Sequence, residues 1–268
     1  MKQNPDVRRY LSHIEISGFR NLKEVKVDLS PLTVLIGANG AGKSNFIRFF
    51  DLMTWLVTGR DLQEWVIREG GADDQLFMGE RVTDQILSTL SITGNTTEEL
   101  YTHSYCLKST SQDSLFISNE KVSLKNDHQD LVSDVVGSAG STTSGLPISA
   151  LGGTKYQHVH AVFDFLKGCR AYQFHDTSKH ATVKKLQDMS DNTQLNSDAG
   201  NLAPILLSLS EHDPKRLKLI EKQIGRLLPV FDGFVLAPQH GKIMLRWRHK
   251  QGDKVMGAHL TSDGSLRL

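Results

Sequence analysis

Residues 32–47 read LTVLIGANGAGKSNFI, and within them Gly37 to Ser44 match G-x-x-x-x-G-K-[ST] at every fixed position. The run before the match, Leu32 to Gly37, is continuously apolar and predicts a buried central strand. After it, Phe46, Phe49, Phe50, Met53, Leu56 and Val57 fall at three- and four-residue spacings and predict a helix with one broad apolar face. A glycine-rich turn between a buried strand and a helix is the setting that a triphosphate requires. The glycines let successive N–H groups curl toward phosphate oxygens, and the helix N-terminus adds favourable dipole charge. Lys43 is then expected at the β- and γ-phosphates and the Ser44 hydroxyl on magnesium. A guanine-specific enzyme would normally add an N-K-x-D-type loop; the nearest string, LKND at 124–127, is not one, so ATP is the expected nucleotide.

Working outward, HIEISGF (13–19) and EVKVDLS (24–30) alternate as strands do. Beyond the Gly70-Gly71 break, three or four strand-like segments predict an antiparallel meander. Residues 126–154, with GSAGSTTSG among them, read as a mobile loop or linker. A helix over 156–167, a strand at 170–174 and a helix capped by Asn201 follow. A second helix, opened by Pro214 and ended by Pro229, precedes three more strands and the closing SDGSLRL.

At 268 residues and 38% hydrophobic composition the chain suffices for one large domain or two small ones. No apolar run approaches the roughly 18 residues of a membrane span, and the N-terminus has no signal-type apolar region, so a cytoplasmic location away from membranes is expected. Cys106 and Cys169, without C-x-x-C spacing, argue against a disulfide framework or a cysteine zinc site. His158 and His160, with His175 or His180, match no known ligand spacing. The net charge of +1 conceals a segregation: 61–134 hold 14 acidic against 5 basic residues, and 214–250 hold 9 basic against 2 acidic. Along KIMLRWRHK, Lys242, Arg246, Arg248 and Lys250 share one face and Ile243, Leu245 and Trp247 the other. That pattern fits first a half-exposed strand with a solvated charged face, and second a face that tracks the phosphates of DNA or RNA.

Taken together, ISGFRNLKEVKVDLSPLTVLIGANGAGKSNFI resembles the ABC-class ATPases of the RecF, SMC and OLD group, in particular its small bacterial predicted ATPases. The Phe19-Arg20-Asn21 turn, Asn39 and Asn45 belong to that pattern, as does DAGNLAPILLSL at 198–209 more weakly. The resemblance implies an α/β fold of the P-loop NTPase class and ABC-ATPase type: a mixed central sheet, an antiparallel β meander and a helical lobe. Its expected organisation is an N-terminal head part over 1–125, the loop over 126–154, and the helical lobe with its strands over 155–268. Arg20, Asn21, Asn39, Gly40, Ala41, Gly42, Lys43, Ser44 and Asn45 would bind ATP, with Ser44 also on Mg2+.

In the same resemblance, TSDGSLRL looks like the signature motif, whose Ser262 and Gly264 would cap the γ-phosphate held by another subunit. An ATP-bridged homodimer is thus expected, with a nuclease or toxin effector and DNA or RNA as further partners. The group's Asp-Glu pair, which follows an apolar strand after the signature, has no counterpart in these 268 residues; VHAVFDF at 159–165 region precedes the signature and has Phe165 where Glu is needed. The chain alone is therefore expected to bind ATP without appreciable turnover. Two classes stay open: an ATPase head driving a nucleic-acid-linked or antiphage partner, and a non-hydrolysing ATP-binding scaffold or switch.

Overall fold

Ile14 and Ile16 point inward while His13, Glu15 and Ser17 point outward, the alternation of a strand with one covered face. They lie in β1 (Leu11–Phe19), which turns at Arg20-Asn21 into β2 (Leu22–Asp28), with Phe19 opposite Leu22. In this computed structural model, residues 9–94, 99–126, 130–135, 140–150, 152–174, 176–252 and 254–261 are described. The chain divides into two compact units, Met1–Arg170 and Ala171–Leu268.

In the first unit the hairpin is followed by helices α1 (Lys43–Val57) and α2 (Leu62–Arg68). Strands β3 (Gln85–Thr93), β4 (Leu100–Thr110), β5 (Ser114–Lys125) and β6 (Asp130–Asp134) come next, then the short α3 (Leu146–Ala150) and α4 (Gln157–Gly168). The six strands form one sheet in the order β2-β1-β3-β4-β5-β6, every neighbouring pair antiparallel. The apolar stripe of α1, namely Phe46, Phe49, Leu52, Met53, Leu56 and Val57, joins Ile14, Ile16, Ile86 and Leu90 of the sheet in one core. Phe49 sits at its centre, edge-on to Phe19 and stacked on Tyr105.

The second unit contains β7 (Gln187–Asp188), α5 (Leu202–His212), α6 (Pro214–Leu227), β8 (Phe231–Phe234), β9 (Lys242–Ile243), β10 (Arg246–His249) and β11 (Val255–Gly257). Its sheets are small, β11-β10-β8 and β7-β9, and its core gathers Val183, Ala203, Leu206, Leu217, Ile243 and Leu245. Asp213 caps α6 by accepting from Arg216 N, and Pro214 occupies the first turn, where its missing N–H costs nothing.

The meander of β3, β4 and β5 and the helices at 157–168, 202–212 and 214–227 match the sequence reading. Five features differ. The apolar run 32–37 is neither strand nor buried: Leu32, Val34 and Ile36 are 83%, 73% and 90% exposed. A continuous apolar run marks a strand that needs neighbours on both edges and covers on both faces; none flanks it among the described residues, and the observed sheet is antiparallel rather than mixed. In 126–154, read as a loop, the described part supplies β6 and α3, and Leu146 is fully buried. There the carboxylate of Glu120 accepts from Ser144 Oγ and Gly145 N, which anchors the Ser/Gly-rich stretch against β5.

Residues 170–174, expected as a strand, are irregular, with Tyr172 and Phe174 half-exposed. Asn201 precedes α5 but does not cap it with its side chain. Its amide instead holds the preceding loop, donating to Asp191 and Gln194 O and accepting from Asn196 N.

The contrast between α1 and the run before it gives an expected outcome. Phe49→Ala should cost about 3–5 kcal/mol in urea unfolding of the 268-residue chain, because it empties a closed core. Ile36→Asn should stay within about 0.5 kcal/mol of the parent, as a substitution at an exposed position does. A large loss at Ile36 would mean that the segment is covered.

Candidate nucleotide site

Gly40 and Gly42 carry φ of +83° and +93°, the left-handed region open to glycine, and between them the chain turns sharply into α1. A Cβ on Gly42 would lie 2.9 Å from Leu22 Cδ2 and 3.1 Å from Asn21 Oδ1, so the loop's last residue is pressed against the β1–β2 turn. At Gly40 a Cβ would meet nothing within 4 Å. The first bond within the helix runs from Phe46 N to Gly42 O at 2.9 Å. The earlier N–H groups, those of Lys43, Ser44 and Asn45, thus belong to the helix start, where an anion is favoured.

Lys43 Nζ donates to the carbonyls of Gly37 and Ala38, both at 2.7 Å, which brings the ammonium over the loop's own concavity. Asn21 grips the loop from the side. Its Nδ2 donates to Gly40 O at 3.1 Å and its Oδ1 accepts from Asn45 Nδ2 at 2.8 Å, so the hairpin turn, the loop and the first turn of α1 are tied through one amide. Asn39 and Ala41 are exposed on the tight turn, and Ala41 N donates to Ala38 O. The Ser44 hydroxyl is exposed at the helix start. No cluster of three or more His, Cys, Asp or Glu suited to a metal exists among the described residues. Ser44 fits Mg2+ all the same, since that ion keeps several waters and takes few protein ligands beside phosphate oxygens.

Arg20 departs from its expected place at the nucleotide. Its guanidinium donates to Gln75 Oε1 at 2.9 Å and to Glu69 Oε2 at 2.8 Å, and lies over the Phe19 ring. Glu69, just past α2, also receives Arg48 at 2.8 Å and Arg68 at 3.3 Å. Burial pushes the Glu69 carboxyl up, but the hydrogen bond from Arg20 and the charges of Arg48, Arg20 and Arg68 outweigh it and hold the group below the usual carboxylate range. This cluster was not legible in the sequence. Arg20, Arg48 and Glu69 are far apart along the chain, and only the Gly70-Gly71 break hinted that a tight turn lay there.

Ser262 and Gly264 lie outside the described residues. Ile243, Leu245 and Trp247 are buried and Lys242, Arg248 and Lys250 exposed, as the alternation predicts, but the expected single strand over 242–250 is broken into β9 and β10, which lie in separate sheets. Arg246 is partly engaged, donating to Ala237 O at 2.7 Å. The histidines of the 158–160 pair have separate uses: His158 meets Ser133 Oγ and His160 pairs with Asp164 one helical turn on.

The two loop glycines should respond unequally to a side chain. Gly40→Ala meets only the left-handed backbone strain, about 1–2 kcal/mol. Gly42→Ala adds the collision with Leu22 and Asn21, so it should cost measurably more in thermal unfolding and weaken ATP binding further. Equal effects at the two positions would contradict the close approach at Gly42.

Residues 10–129 match the family model for the AAA ATPase domain. The DNA replication and repair protein RecF of Nocardioides sp. is 30% identical over 84 residues, 31% of this chain and 20% of that protein. RecF of Crocosphaera subtropica is 35% identical over 85 residues, again 31% and 20%. The OLD nuclease of Thermus scotoductus is 40% identical over 43 residues, 16% of this chain and 8% of that protein. The chain thus matches about a fifth of the length of these RecF relatives and less of the nuclease. The complete phosphate-loop motif at the head of α1 and the Asn21 turn beside it both lie within the 10–129 match, so over this part the chain is similar to the AAA ATPase domain, and over shorter stretches to RecF proteins and an OLD nuclease.

Proposed function

We propose that this chain binds ATP with Mg2+ at Gly37–Ser44 and works as the ATP-dependent head of a DNA-linked assembly. The observation that carries the reading is Lys43: its ammonium lies over the loop formed by Gly37 to Gly42, at the start of a 15-residue helix. Binding would transfer the Lys43 donors from the carbonyls of Gly37 and Ala38 to β- and γ-phosphate oxygens. Backbone N–H groups of the loop and of the helix start would cradle the same phosphates. Magnesium, held by Ser44 and the phosphates, would neutralise the β/γ charge. Asn21 and Asn45 would keep the loop's curvature by restraining Gly40 from outside.

The RecF and OLD likenesses support a DNA-linked role, and the family resemblance supports an ATP-bridged homodimer in which Ser262 and Gly264 of one subunit cap the γ-phosphate of the other. A nuclease or toxin effector is the partner that this assembly would drive. The alternative, an ATP-binding scaffold or switch that does not hydrolyse, rests on the same loop. Turnover by a head that has the Asp-Glu pair distinguishes the two, because a driven head must release its γ-phosphate, whereas this chain by itself is expected to bind without turnover in either case.

Lys43→Ala should abolish tight ATP binding in calorimetry, since magnesium alone leaves the β/γ oxygens without the ammonium's charge and donors; unchanged affinity would sink the nucleotide assignment. ATP should convert monomers to dimers in sedimentation while ADP does not. Ser262→Arg should keep ATP binding and lose the dimer, and a variant that still dimerises with ATP would reduce SDGSLRL to an ordinary helix start.

A DNA or RNA partner is proposed for the Lys242–Lys250 face. Arg246→Glu with Arg248→Glu should weaken nucleic-acid binding and flatten its salt dependence, because fewer counterions are released. Affinity and salt slope both unchanged would assign those side chains to a solvated strand face.

A further inference from the structure

The Glu69 cluster lies behind the phosphate loop and has no part in the roles assigned so far. Oxygen Oε2 of Glu69 accepts from Arg20 Nη2 and Arg48 Nη1, each at 2.8 Å. Those two arginines belong to the two segments that flank the loop. Arg20 is the neighbour of Asn21 in the β1–β2 turn and has φ +50°, a conformation that a non-glycine residue holds only when its surroundings fix it. Arg48 stands on α1 one turn beyond Ser44 and Asn45.

Gln75, fully buried, completes the frame. Its Nε2 donates to Glu69 O at 2.8 Å and Gly71 O at 3.2 Å, its Oε1 accepts from Arg20 Nε, and its own carbonyl accepts from Arg20 N at 2.8 Å. Gly70 and Gly71, with φ of +102° and +104°, make the turn that places Glu69 and Gln75 side by side. Both the backbone and the side chain of Arg20 are thereby held from one side, while Asn21, the next residue, holds Gly40 and Asn45 on the other.

We propose that Glu69 is a positioning residue of the nucleotide site: bridging Arg20 and Arg48, it fixes the Phe19–Asn21 turn against the start of α1 and so keeps Asn21 on the carbonyl of Gly40. The inference rests on the nucleotide reading of the loop for its consequence, but the coupling itself exists without nucleotide. A carboxylate suits the task because one oxygen accepts from two guanidiniums at once, in charge-assisted bonds that are shorter and stronger than neutral ones.

The test uses the 268-residue chain with Glu69→Ala, Glu69→Asp, Asn21→Ala, the Glu69→Ala/Asn21→Ala double variant and Val122→Ala. The last removes methyls from a fully buried position on β5 and reports on lost stability alone. Three quantities are read: melting temperature, affinity for a fluorescent ATP analogue, and nucleotide-free amide exchange in peptides covering 38–42. Glu69→Ala should weaken the analogue about tenfold, as loss of a hydrogen bond between charged groups does, and speed exchange at 38–42. Glu69→Asp should recover part of both. The double variant should bind no more weakly than Asn21→Ala alone, because the two residues act in series. Val122→Ala should lower the melting temperature and leave loop exchange and affinity unchanged.

A Glu69→Ala variant that lowers the melting temperature like Val122→Ala, with exchange at 38–42 unaltered, would overturn the proposal. So would additive losses in the double variant. A parent chain that fails to bind the analogue would remove the nucleotide reading; the exchange comparison would then decide the Glu69 coupling by itself.

Discussion

The seat of α1 on the antiparallel sheet is the constraint from which the site follows. A phosphate loop is a flexible turn, and its N–H groups converge only if the helix that it opens cannot rock. Phe46, Phe49, Leu52, Met53 and Leu56 are buried along 15 residues of that helix, against Ile14, Ile16, Ile86 and Leu90. Burial of one such side chain contributes on the order of 1.5–3 kcal/mol, so the stripe as a whole holds the helix on the sheet. Apolar packing along the helix thereby sets the direction in which its first N–H groups point.

Polar contacts refine what packing sets. Asn21 closes a bridge between the hairpin turn, Gly40 and Asn45, and it reaches them because Gly42 has no side chain to keep Leu22 and Asn21 away. Behind it, the excess of guanidinium around Glu69 makes that carboxylate a strong acceptor that remains ionised. The positive charge of Arg20 and Arg48 is thus satisfied internally, and Lys43 is the cation at the loop whose hydrogen bonds are to neutral carbonyls. That difference suits Lys43 to exchange partners and Arg20 to stay fixed.

The apolar run entering the loop has a different character. Leu32, Val34 and Ile36 are exposed, yet the same composition lies buried in β1 and β3, where neighbouring strands take the backbone hydrogen bonds. Strand formation depends on its neighbours as much as on its own residues, because an extended segment has no internal hydrogen bonds to close. A helix such as α1 satisfies its own backbone and needs only one apolar cover.

That asymmetry divides what the sequence by itself determined from what only the tertiary structure decided. Local periodicity and spacing determined α1, α4, α5 and α6, the meander of β3 to β5, the glycine-rich turn that carries Lys43 and Ser44 into α1, and the burial alternation of Lys242 to Lys250, since each rests on contacts or turn chemistry within a few residues. The tertiary structure decided that 32–37 stands outside the sheet, that β6 and α3 occupy a Ser/Gly-rich stretch, that Asn201 holds a loop, and that Arg20 turns to Glu69. Each of these joins groups distant along the chain: Arg20, Arg48 and Glu69 meet on one carboxylate only after the hairpin and two helices have packed. Pairwise charge and backbone pairing at such separations leave no periodic trace in a single sequence, so the fold had to bring them together before they could be read.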